Sequence, residues 1–287
     1  MTPDDLASLL RLSSYWLNGT PPQLVIAGGI ARSGTSFVEA ILQAHPHVIC
    51  LQEFMPLKTP LLAELLGFIE RSTTAERELW SDCDGRHWRG YGPQEDNPRM
   101  LALLLTCLAS TTSTNAVQGK VLNEVRVLFC KTPSSEFHFR ALQSALPSIH
   151  LRYVHCIREP FACMRSNWEM PWVLGDDLDS FICDFAAMLG SSADAFDAIR
   201  SAGVPVHILS AERTWSPASR QKSLAELFAF LSLDATGAVL ARADDKVDPW
   251  PPERRRQPKV IVQESHAALL HRQTGLKRWL AAFGSAM

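Results

Sequence analysis

The feature that most constrains this chain is the run Leu24-Val25-Ile26-Ala27, which passes straight into Gly28-Gly29-Ile30-Ala31-Arg32-Ser33-Gly34-Thr35-Ser36. Four apolar, β-prone residues without polar alternation predict a strand covered on both faces, as in a parallel sheet. Residues 37–44 then read as a helix. Strand, glycine-rich turn and helix is the order of a phosphate-binding loop. The first helical turn leaves backbone N–H groups without partners inside the helix, and the aligned peptide dipoles favour an anion there.

The remainder of the chain repeats the alternation. Further strands are expected at 48–51, 125–130, 151–157 and 204–209. Helices are expected at 1–18, 61–71, 137–145, 178–202, 219–231 and 264–283. Short apolar strands alternating with helices predict an α/β fold, three-layered α/β/α around a mainly parallel central sheet. At 287 residues the chain is read as a single domain, 1–287, with 54–120 as an acceptor-side cap or helical insertion. Within that insertion, 71–99 is polar and aromatic, with Trp80, Trp88 and Tyr91, and reads as a loop or cap over a site.

A formal net charge of −2 gives no global reason to expect nucleic acid or an acidic membrane as partner, so a charged ligand needs a local basic site. The seven cysteines form no Cys-x-x-Cys pair and no metal-spaced Cys/His array. They read as small buried hydrophobes of a reducing compartment, with no metal expected. Asp4 and Asp5 stand where a signal peptide would be basic. No apolar run approaches the ~20 residues of a membrane span. The expectation is a cytoplasmic protein.

Gly29-x-x-x-x-Gly34 has the glycine spacing of a nucleotide triphosphate loop, yet the next residues are Thr35 and Ser36 where that loop has Lys and Ser or Thr. The lysine bridges the terminal phosphates, so its absence argues against an ATPase, GTPase or ordinary kinase. The loop still offers backbone N–H groups, Arg32 and the hydroxyls of Ser33, Thr35 and Ser36. A second anion site is suggested by Arg158, at the end of the 151–157 strand, where ligands of open α/β sheets collect. Pro160 suits the first turn of a helix, and Ser166 stands two helical turns beyond Arg158. Two anion sites on one sheet edge suit a ligand with phosphates at both ends of a ribose.

These residues resemble the sulfotransferases that use 3'-phosphoadenosine-5'-phosphosulfate (PAPS). Arg32 through Ser36 looks like the family's 5'-phosphosulfate loop, and Arg158 through Ser166 looks like its 3'-phosphate motif. The nearest resemblance is to tyrosylprotein sulfotransferases, through Gly29–Thr35, His45-Pro46-His47-Val48 and Glu53. The resemblance implies Glu53 as catalytic base, with Lys131 and Arg32 facing the transferring group. It implies PAPS as donor, its bisphosphate product PAP, and a hydroxyl acceptor on a small molecule, glycan or peptide. Where small-molecule sulfotransferases carry a histidine base after Lys-Thr, this chain has Pro133, which favours Glu53. His45 and His47 read as turn residues, and Trp168 as either an adenine platform or a core residue. One of Arg254, Arg255, Arg256 and Lys259 could close over the nucleotide.

Two other functions fit parts of the pattern. A P-loop-type phosphotransferase would use Lys131 or Lys120 in place of the missing loop lysine and would need Mg²⁺. A non-catalytic nucleotide-binding protein would keep the fold without the chemistry.

Overall fold

The structure, a computed structural model, describes residues 22–51, 78–81, 87–90, 124–137, 139, 143, 151–170, 173, 177–244 and 264–287. In chain order it contains β1 (Gln23–Gly28), α1 (Thr35–Gln43), β2 (Val48–Leu51), β3 (Glu78–Ser81), β4 (His87–Gly90), β5 (Val127–Lys131) and β6 (Leu151–Ile157). There follow α2 (Pro160–Trp168), α3 (Leu178–Ser201), β7 (Val206–Ser210), α4 (Ala211–Trp215), α5 (Pro217–Phe230), α6 (Gly237–Asp244), α7 (Glu264–Arg272) and α8 (Thr274–Phe283). The fold is α/β: a mostly parallel sheet of order β2-β5-β1-β6-β7, flanked by helices. The apolar run that predicted a doubly covered strand is β1, whose Leu24, Val25, Ile26 and Ala27 are buried.

The chain forms two compact units, Met1–Ile26 with Leu42–Thr132 and Phe137–Arg152, and Ala27–Ile41 with Pro133–Glu136 and Tyr153–Met287. In the first, β2 pairs in parallel with β5, Val48 opposite Val127. The Gln23 N–H donates to the Arg126 carbonyl at 3.0 Å, and the Arg126 N–H to that of His47 at 2.9 Å. His45 acts as the turn residue its position suggested, its Nδ1 accepting the His47 N–H at 3.1 Å. The segment expected as a loop or cap holds an antiparallel hairpin, β3 against β4, with Trp80 opposite Trp88. The expected helices at 1–18 and 61–71, and Glu53, lie outside the described residues.

In the second unit β6 pairs in parallel with β7, Tyr153 opposite Val206. The expected helix at 264–283 is broken into α7 and α8 at Gln273, which has extended backbone angles (φ −72°, ψ 136°). The break seats Gly275 on α3, where a Cβ would lie 1.8 Å from the Ala186 carbonyl oxygen, closer than any side chain permits. α8 thereby brings Phe283 onto the buried imidazole of His155, ring centroids 4.7 Å apart, with Phe196 on the same imidazole at 4.8 Å.

Burial holds the His155 pKa below the ordinary histidine value, and burial does the same to His207. Both imidazoles are therefore neutral in the fold at pH values where the unfolded chain protonates them. Below about pH 6.5 the unfolded state binds more protons, so stability falls as pH falls, by at most about 1.4 kcal/mol per pH unit per histidine. Melting temperatures measured from pH 7.5 to 5.5 are expected to decline before the carboxylates titrate. His155→Phe, which keeps the aromatic packing and removes the proton site, is expected to flatten that decline.

Candidate anion-binding site

The loop after β1 is shaped by two glycines and one arginine in left-handed backbone. Gly29 has φ +112°, Gly34 φ +106° and Arg32 φ +72°. At Gly29 a Cβ would stand 2.2 Å from the Cys156 carbonyl oxygen, and at Gly34 one would stand 2.3 Å from the Phe37 ring. Only glycine meets both demands, the angle and the close approach. Ser33 N–H closes the turn onto the Ile30 carbonyl at 3.0 Å, and α1 then begins with Phe37 and Val38 N–H groups on Gly34. Ser33 and Thr35 are buried, whereas Arg32 and Ser36 are exposed.

The second motif meets this loop directly. Arg158 follows β6, and Pro160 opens α2 as expected from its fixed φ. The helix is capped by Glu159, whose carboxylate accepts the N–H groups of Phe161 at 2.9 Å and Ala162 at 2.6 Å. Arg32 Nε donates to Ser166 Oγ at 3.0 Å, and Arg158 Nη1 to the Arg32 carbonyl at 3.3 Å. α2 also grips the loop from inside, since Asn167 Nδ2 donates to the Ala31 carbonyl at 2.5 Å and Cys163 Sγ to the same oxygen at 3.3 Å. Burial pushes the Cys163 thiol up to about 12 against the opposing pull of Arg158 and Arg32, so this cysteine is an inert packing residue.

Of the residues singled out by sequence, the structure brings Arg32, Ser33, Gly34, Thr35, Ser36, Arg158 and Ser166 into one cluster. Lys131 ends β5, in the other compact unit. Trp168 is buried against Phe181, ring centroids 5.1 Å apart, and so takes the core role of its two readings. An aromatic that sequence reasoning passed over stands at the site instead: Trp215, exposed, with the Arg158 guanidinium 5.0 Å from its ring centroid and Phe37 5.7 Å away. Its position five residues beyond the end of β7, at the ligand edge of the sheet, was the available signal.

Among the described residues, two buried polar atoms at the site, Ser33 Oγ and Arg158 Nε, have no hydrogen-bond partner. Buried polar atoms are rarely left so, and a donor hydroxyl beside a donor guanidinium fits an oxygen-rich anion. Together with the first-turn N–H groups of α1, the cluster can hold two negatively charged groups of one ligand. Among the described residues no group of three or more His, Cys, Asp or Glu could hold a metal ion. No helix among them is long and apolar enough to cross a membrane.

The fold is an α/β sheet carrying a glycine loop after β1 and an arginine at the end of β6. Residues 22–207 match the sequence model of the sulfotransferase family, which spans more than half of the chain, and the chain belongs to that family. Among curated protein sequences none matches. The fold is similar to that of sulfotransferase STF9 from Mycobacterium avium, with a TM-score of 0.50 at 14% identity over 99% of this chain and 85% of that one. The sulfotransferase domain of the Synechococcus PCC 7002 olefin synthase aligns with a TM-score of 0.44 at 16% identity, over 89% of this chain and 96% of that one. Mouse sulfotransferase SULT7A1 complexed with PAP aligns with a TM-score of 0.42 at 10% identity, over 98% and 82%.

The loop geometry gives a direct expectation. Gly29→Ala should lower unfolding stability by about 2–4 kcal/mol, because left-handed strain and a clash with backbone add. Gly284→Ala, at φ −57° with nothing within 4 Å of the added Cβ, should stay within about 0.5 kcal/mol of wild type. Urea denaturation of the two variants tests the contrast.

Proposed function

We propose that this chain is an O-sulfotransferase that takes the sulfuryl group from PAPS. The observation that carries the reading is the direct tie between the two anion motifs, Arg32 to Ser166 and Arg158 to the Arg32 carbonyl. That tie gathers two cationic side chains and several hydroxyls in one cluster, which supports a ligand phosphorylated at both ends of its ribose. Ser33, Gly34, Thr35 and Ser36 hold the 5'-phosphosulfate with the α1 N-terminus, and Arg158 and Ser166 hold the 3'-phosphate. Trp215 fixes the Arg158 guanidinium by cation–π attraction.

The chain's residues divide the reaction between them. Glu53 takes the proton of the acceptor hydroxyl as its oxygen attacks sulfur in line. The sulfur–oxygen bond to the 5'-phosphate breaks, and its electron pair stays on the phosphate oxygen. Arg32, Lys131 and the loop hydroxyls stabilise the charge that develops there, and PAP leaves. The domain reading extends over 1–287, with 54–120 on the acceptor side. The acceptor is a hydroxyl on a small molecule, glycan or peptide; the motif likeness to tyrosylprotein enzymes concerns the donor end. A cytoplasmic setting accords with Cys156, Cys163 and Cys183, which carry free thiols.

The phosphotransferase reading is disfavoured by Thr35-Ser36 in place of Lys-Ser/Thr, and one experiment separates the two. PAP at about 100 times its dissociation constant should raise the melting temperature by about 5–10 °C, with or without Mg²⁺. ATP with Mg²⁺ should give a much smaller shift. A larger, metal-dependent shift with ATP would overturn the proposal. For the base, Glu53→Ala should lower kcat by roughly 10²–10⁴-fold while PAP affinity stays within about twofold. Near-wild-type turnover would remove Glu53 from that role.

A further inference from the structure

Beneath the glycine loop lies a buried carboxylate that the proposed reaction does not use. Glu136 sits in the short 3₁₀ turn Ser135–Phe137 and is 3% exposed. Its Oε2 accepts the Gly29 N–H at 3.0 Å and the Tyr153 hydroxyl at 3.1 Å, and its Oε1 accepts the Ser192 hydroxyl at 2.5 Å. From the same turn, Ser134 N–H donates to the Gly29 carbonyl at 2.8 Å. Both backbone polar groups of Gly29 are thus held by residues 134–136, at the point where the chain enters left-handed backbone.

The packing leaves little freedom for any other arrangement. A Cβ at Gly28 would stand 2.2 Å from Tyr153 Oη and 2.3 Å from Ser135 Oγ, so the loop's first glycines rest directly on this polar cluster. Burial, then the Glu136 charge, raise the Tyr153 phenol well above its ordinary value, so it remains a donor to the carboxylate. Among the described residues, Gly29 of the loop, Tyr153 of β6 and Ser192 of α3 donate to Glu136, its charge also acts on His155 and Cys156 of β6, and burial keeps His155 neutral. A carboxylate is an unexpected choice under an anion site, since its charge opposes the ligand's. Its worth is geometric: one rigid acceptor with two oxygens fixes the loop entry to β6 and α3 at once.

We propose that Glu136 is a positioning residue for the glycine loop, acting through the Gly29 N–H to align the loop for its anionic ligand. The claim that the ligand is a 3',5'-bisphosphorylated nucleotide rests on the function proposed above; the claim that Glu136 orders the loop does not. Two readouts keep these apart. The first is backbone hydrogen exchange of residues 29–34 in the ligand-free protein. The second is the dissociation constant for PAP, measured at a temperature where each variant is folded.

Glu136→Met removes every acceptor at constant length. It is expected to speed loop exchange relative to β6 and to weaken PAP binding about tenfold, a charge-assisted hydrogen bond's worth of alignment. Glu136→Gln can present its carbonyl oxygen to Gly29 and Tyr153 and its NH₂ to the Ser192 oxygen, so it is expected to recover most of both losses. A residue serving stability alone would lower the melting temperature of Glu136→Met and leave the PAP dissociation constant and the local exchange unchanged, and that result overturns the proposal. A glutamine variant as impaired as the methionine one overturns it as well. Should Glu136→Met not fold, Tyr153→Phe decides: loosened loop exchange supports the proposal and wild-type exchange overturns it. If the wild-type protein fails to bind PAP, the donor assignment falls while the exchange readout still judges Glu136.

Discussion

The glycine loop between β1 and α1 depends on where its carbonyl groups go. The Ala31 carbonyl is taken by Asn167 and Cys163 of α2, and the Arg32 carbonyl by Arg158. The Ile30 carbonyl is taken by the Ser33 N–H inside the turn. With its acceptors committed inward, the loop faces a ligand with donors. A loop of the same glycines with its carbonyls turned outward would repel an anion. Backbone groups buried without a partner are costly, so the side chains of α2 enforce this orientation as well as decorating the site.

Acidic side chains stand close to the arginines without neutralising the site, and the hydrogen bonds explain how. Glu159 spends both oxygens on the first turn of α2. Glu212 accepts the Glu159 N–H at 2.8 Å and the Ser210 hydroxyl at 3.2 Å. Each carboxylate is committed to main-chain or hydroxyl donors that fix the turn bearing Arg158. Arg158 itself is oriented by the Arg32 carbonyl and by Trp215, contacts that hold a guanidinium in place without cancelling its charge. The arrangement is pre-organised for a charged group, which limits what ordering costs on binding.

Much of the frame was legible in the sequence because local pattern and tertiary role agree there. The run Leu24–Ala27 is a fully buried strand, the glycines stand where left-handed angles are required, and Pro160 opens α2. The parts that were not legible depend on distant partners. The break at Gln273 follows from the contact of Gly275 with Ala186, which no periodicity within 264–283 reveals. Trp168 is buried against Phe181 of α3, a packing partner that local pattern around Trp168 does not reveal. Glu136 reads as an ordinary loop acid, since its partners lie 107, 17 and 56 positions away along the chain. Glu53 lies outside the described residues, so its assignment stands on the motif alone.

In the function proposed, one ligand engages the loop and the strand end together. Titration calorimetry of PAP against 5'-AMP, in wild type and in Arg158→Ala, measures this most directly. Wild type should prefer the bisphosphate by at least about tenfold, and Arg158→Ala should lose most of that preference while its 5'-AMP affinity changes little, as expected for loss of a charge-assisted contact to the 3'-phosphate. Equal affinity of wild type for the two nucleotides, or a preference untouched by Arg158→Ala, would contradict it.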